Sequence, residues 1–240
     1  MTESELTPQE ATIRDQAVTW AKQNRTAFAR KMASADQYPG EKNPVSVFMA
    51  GSPGAGKTES AKAMAGEFGA FLRIDPDEFR REIPGYDGAN SWLIQDAVSL
   101  LLERVLDRAF KQEQSFLLDG TLSSQSVAER NIARCVSRGR GVLVVYVYQD
   151  PALAWKFVRA RELTEGRRIP PERFVHQFFE ARRVVNELKV KFGQDIEIDV
   201  LLKDIDGTNR RYAANVSDLN HAAPLQHSIE DVERIVRSTL

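Results

Sequence analysis

The stretch Gly51-Ser52-Pro53-Gly54-Ala55-Gly56-Lys57-Thr58 fits the pattern G-x-x-x-x-G-K-[ST]. It follows the apolar run Val45 to Ala50 and leads into a helix-forming stretch, Lys57 to Phe68. Glycines there let the backbone curl so that successive N–H groups converge on a β-phosphate. The Lys57 ammonium is placed to reach the β- and γ-phosphates, and the Thr58 hydroxyl suits a Mg²⁺ ion. Glycine-rich turns between strand and helix are common, but here the whole pattern and both flanks agree. The expectation is a nucleoside triphosphate with Mg²⁺, held by Gly51, Ser52, Pro53, Gly54, Ala55, Gly56, Lys57, Thr58 and Glu59.

Outward from this loop, strand and helix patterns alternate. Upstream, Thr7-Pro8-Gln9-Glu10 has the form of a capping box with proline at the first helical position, and a helix is expected to about Met32 with Val18, Ala21 and Phe28 facing inward. Residues 36–44 are rich in turn formers. Downstream, strands are expected at 70–74, 115–118, 142–148 and 196–202, and a turn at Asp206-Gly207. Helices are expected at 91–111, 124–138, 151–164, 171–191 and 228–238. This order predicts an α/β fold of the P-loop NTPase and kinase type, with a mostly parallel central sheet and helices on both faces. Residues 1–44 read as a helical extension packed on the core, and residues 45–240 as the phosphate-loop domain, with a helical lid near 159–171.

Composition narrows the partners. Thirty-three basic and 34 acidic side chains give a net charge of −1 with no sustained basic run, so no nucleic-acid footprint is present. The single cysteine, Cys135, excludes an internal disulfide and reads as a small buried apolar residue. His176, His221 and His227 lack metal-ligand spacing. The polar, acidic start of the chain has no signal-peptide pattern, and the longest apolar run, Val142 to Tyr148, is far too short to span a bilayer. A reducing cytoplasm is the expected setting.

Three further segments carry chemistry. Ile74-Asp75-Pro76-Asp77 ends the second strand, where ligands bind in open α/β sheets. A carboxylate there can take the proton of an acceptor hydroxyl, and Asp77 is the favoured base, although D-P-D also suits a turn and helix cap. Phe116-Leu117-Leu118-Asp119-Gly120-Thr121 is an apolar strand ending in an acid, with Glu103 upstream on the long helix, where a solvated helix face is the plainer reading of that residue taken alone. Arginines crowd Arg159 to Arg168 around Gly166, Pro170 and Pro171, as a cationic lid over a triphosphate would require. A solvated basic helix end is the plainer reading of the same residues.

Together these pieces resemble the zeta-toxin family of P-loop kinases, over roughly Val45 to Lys191. The resemblance rests on the phosphate loop, the segment Ile74 to Arg80 with Pro84 and Tyr86, Asp119-Gly120-Thr121, Arg161-Glu162-Leu163 and Gly166 to Pro170. It implies transfer of phosphate from ATP to a sugar hydroxyl of UDP-N-acetylglucosamine or a related UDP-sugar, and a small helical antitoxin as a possible partner. It implies Lys57, Asp77, Arg161 and Arg167 as catalytic residues, with Arg159 and Arg168 as alternatives for the two arginines. Asp77, Arg80, Glu103, Asp119 and Thr121 would hold the UDP-sugar, and Asp119 replaces the family's usual glutamate. A kinase for another hydroxyl, of a nucleoside or an antibiotic, and an ATP-dependent binding module remain as alternatives.

Overall fold

The structure is a computed structural model that describes residues 6–67, 69, 71–166, 168–204 and 209–238. Its central sheet contains β1 (Val45–Ala50), β2 (Leu72–Ile74), β3 (Phe116–Leu118), β4 (Gly141–Tyr148), β5 (Glu197–Lys203) and β6 (Asn209–Ala213), in the order β2-β3-β1-β4-β5-β6. The first five strands are parallel, and β6 returns antiparallel along β5. Alternate residues of β1 face opposite sides. Phe48 and Ala50 join the larger core, whereas Val47 and Met49 join a smaller one with Ala55, Ala61 and Val147. Burial on both faces explains why this strand is apolar almost throughout.

The helices are α1 (Pro8–Met32), α2 (Lys57–Glu67), α3 (Pro76–Arg80), α4 (Gln95–Lys111), α5 (Gln125–Val136), α6 (Pro151–Glu165), α7 (Pro171–Phe192), α8 (Leu219–Ala222) and α9 (Ile229–Ser238). The capping box at the start of α1 forms as its sequence predicts: the Thr7 hydroxyl accepts from the Glu10 N–H, and the Glu10 carboxylate accepts from the Thr7 N–H. Ala17, Ala21, Phe28 and Ala29 of α1 are buried in the larger core, packed chiefly along α4. The Phe28 ring meets Phe79 of α3 edge-on, with centroids 4.8 Å apart. A third core joins Trp155 of α6, Phe174 and Phe178 of α7, and Val232 and Val236 of α9.

Sequence reading located the parallel strands and the long helices but missed α3, α8 and β6. β6 reads Asn-Arg-Arg-Tyr-Ala, a polar run without apolar alternation, and only its pairing with β5 makes it a strand. The expected Asp206-Gly207 turn lies outside the described residues.

The connection after the central strand β1 runs to β2 on one side, and that after its neighbour β3 runs to β4 on the other, which opens a crevice at the carboxyl ends of the strands. The loops that carry the candidate chemistry emerge there.

Candidate active site

A cavity of about 990 Å³ occupies this crevice. The phosphate loop forms its floor. Gly51, Gly54 and Gly56 all adopt positive φ, and a Cβ on Gly54 would stand 2.1 Å from the Ala154 carbonyl oxygen of α6. Only glycine therefore permits the loop to pass so close to that helix. Pro53 to Glu59 line the cavity, while Gly51 and Ser52 are buried at the base of the loop. The Lys57 ammonium, itself mostly buried, donates to the Ser52 carbonyl at 2.6 Å and so folds back across the loop. The Gly51 N–H donates to the Thr121 carbonyl at 3.1 Å, which ties the loop to the chain leaving β3. This glycine-built cradle, with a lysine across it and Thr58 at the start of α2, fits a triphosphate. No cluster of three or more His, Cys, Asp or Glu residues able to hold a metal occurs among the described residues. A Mg²⁺ ion held by phosphate oxygens and the Thr58 hydroxyl requires none.

The acids at the ends of β2 and β3 form the opposite wall. Asp75 caps α3, accepting from the Asp77 N–H at 2.9 Å, as its D-P-D sequence suits. The Arg73 guanidinium bonds Asp75, Glu78 at 2.8 Å and Asp119 at 3.0 Å. Burial alone would weaken the charge of Arg73, but Glu78, Asp119 and Asp75 outweigh it and hold the guanidinium firmly protonated. Asp75 is pushed up to about 6, first by burial and then by the nearby charges of Asp77 and Asp119. Asp77 pairs with the buried Arg80, whose other terminal nitrogen donates to Gln95 of α4. Asp75, Asp77, Arg80, Asp119 and Thr121 all line the cavity that the phosphate loop lines.

Glu103 departs from its expected place. It does not line the cavity but pairs with Arg130 of α5 at 3.1 Å, half-exposed. The face of α4 turned to the cavity carries Gln95, Ser99 and Leu102, spaced one turn apart, and Glu103 lies on the flank of that face. Arg161 lines the cavity, whereas Arg159 pairs with Glu162 at 2.7 Å; Arg167 lies outside the described residues. Among the residues not singled out for the site that also line it are Arg173 of α7, Lys203 of β5 and Asn131 of α5. Lys203 approaches Gly56, and burial, partly countered by Glu59, holds its ammonium below the usual lysine range.

A phosphate loop after the central strand, in a parallel sheet flanked by helices, defines the P-loop kinase fold. The sequence model described as Zeta toxin matches residues 29–217. The chain belongs to the zeta toxin family. No curated protein matches it significantly. Among solved structures, it is similar to a chain from the PezAT chromosomal toxin-antitoxin system of Streptococcus pneumoniae. That match has a TM-score of 0.65 and 19% identity, covering 98% of this chain and 95% of the other. It is also similar to a chain of the AvrRxo1-ORF1:AvrRxo1-ORF2 complex with sulphate ions, with a TM-score of 0.59 and 16% identity over 91% of this chain and 72% of that one. The same complex with ATP matches equally well. At these identities the likeness concerns the fold.

Proposed function

We propose that the protein is an ATP-dependent kinase for a small-molecule hydroxyl, with UDP-N-acetylglucosamine or a related UDP-sugar as acceptor, and that it is the toxin of a toxin-antitoxin pair. The observation that carries this reading is that Asp77 and the phosphate loop line one cavity. Its volume stands near the top of the usual range for ligand pockets, roughly 300–1,000 Å³, as a site for two substrates side by side requires. ATP, when bound, supplies the phosphoryl group. Lys57 and the loop N–H groups bind its phosphates, and the Thr58 hydroxyl is the protein's ligand to Mg²⁺. Asp77 orients the acceptor hydroxyl and takes its proton as the oxygen attacks the γ-phosphorus and ADP departs. Arg80 holds the Asp77 carboxylate in place, Asp119 and Thr121 bind the sugar, and Arg161 offsets charge on the transferring group, with Arg167 as a second lid arginine. The family's name and the toxin-antitoxin system of the similar structure favour a small antitoxin as partner.

The test is to incubate the chain with ATP, Mg²⁺ and a panel of UDP-sugars, nucleosides and oligonucleotides, and to look by mass spectrometry for a product heavier by one phosphate. A phosphorylated UDP-sugar supports the reading, and a phosphorylated nucleoside moves the acceptor elsewhere. ATP affinity without acceptor-dependent ADP release would make the protein a nucleotide-dependent binding module instead.

A further inference from the structure

α5 turns Ala128, Ile132 and Cys135 toward the protein interior, at the spacing of one helix face. Asn131 lies on that same face and is 4% exposed. The other buried amides have backbone partners: Asn90 donates to Gly85 at 2.7 Å, Gln114 to Tyr38 and Gln149 to Asp204 at 3.1 Å. The Asn131 carboxamide bonds no other described residue, yet it is not among the polar atoms sealed from solvent. It lines the cavity. The amide is enclosed on the protein side and keeps its contact with solvent through the cavity. Its donor and acceptor, unused by the protein, are therefore open to a ligand there.

We propose that Asn131 is a specificity-determining residue that reads an amide or imide edge of the acceptor. This deepens, and rests on, the reading of the cavity as a kinase site. A carboxamide presents a carbonyl acceptor and an N–H donor side by side in one plane. Its complement is a planar group with N–H beside C=O. Leu102, Leu122, Val127 and Ala128 supply apolar walls in the same cavity, suited to the flat ring or methyl that such a group carries. Within a UDP-sugar this chemistry has two sources, the uracil imide and the acetamido group of an N-acetylated sugar.

Calorimetric titration of the full chain, without ATP, separates them. The probes are UDP-N-acetylglucosamine, UDP-glucose, which lacks the acetamide, and UDP-N-acetylglucosamine bearing 3-methyluracil, whose imide donor is blocked. Asn131→Leu is expected to weaken UDP-N-acetylglucosamine binding about tenfold or more. Asn131→Asp, of the same shape but without the donor, is expected to do the same, and it serves should the leucine variant fail to fold. The probe lacking the group that Asn131 reads binds weakly to the natural protein and is indifferent to both substitutions. Binding by both variants within about twofold of the natural protein, or no binding of any probe by the natural protein, overturns the proposal. Binding that depends on Asn131 without phosphate transfer from ATP upholds it and overturns the kinase reading instead.

Discussion

Asp77 and Asp75 stand two residues apart at one strand end, yet their surroundings assign them different work. Asp77, paired with Arg80 and partly open to the cavity, is the proposed base. Asp77→Asn is expected to reduce acceptor-dependent ADP release by roughly 10²–10⁴-fold while leaving the protein folded, as its circular dichroism spectrum reads. Asp75 is enclosed, and its carboxyl, at about 6, holds a proton more tightly than in the unfolded chain, where the ordinary value is 3.8. The stability this proton contributes is fully present below that ordinary value and is lost as pH rises through about 6. Asp75→Asn keeps a capping oxygen and removes the titration. Urea unfolding between pH 4 and pH 6 is therefore expected to show the variant gaining on the natural protein, by on the order of 2 to 3 kcal/mol as pH rises. Both acids were legible as a D-P-D strand end. Arg73, which ties Asp75 to Asp119, was not, because these partners come together only when β2 pairs with β3.

Between α4 and α5, half-exposed charges act as fasteners and the facing side chains shape the cavity. Glu103 meets Arg130 and Asp107 meets Arg134 along the outer seam, while Ser99, Leu102, Val127 and Asn131 face inward. Glu103→Gln is expected to leave the acceptor KM within about twofold of the natural value and to cost at most about 1 kcal/mol in urea unfolding, as exposed pairs do. A tenfold rise in KM would return Glu103 to the binding site. The sequence pattern located α4 but not its rotation, and neighbouring positions on a helix face directions about 100° apart. Asn131 was hidden for a related reason: a lone asparagine in an amphipathic run gives no periodic signal. The phosphate loop was plain because its chemistry lies within consecutive residues, whereas Lys203 and Arg173 join the wall from distant parts of the chain.

Across the whole molecule, α1 is part of the core that supports the site. Its Phe28 is buried against Phe79, two residues beyond Asp77 in α3. Phe28→Ala is expected to destabilise the chain by about 3 kcal/mol or more in urea unfolding, through a cavity beneath α3. A change under 1 kcal/mol would show that α1 rests on the surface rather than within the core. The capping box and inward residues of α1 could be read locally, but its partner could not, since α4 lies many residues downstream. The sheet itself is bounded by β2, three residues long, and by β6, five residues long and turned against the direction of its neighbours. A second molecule seeking bare amides to extend the ladder meets only a short run of rungs at either margin. Polymerisation by strand addition is thereby discouraged, even where the protein is crowded.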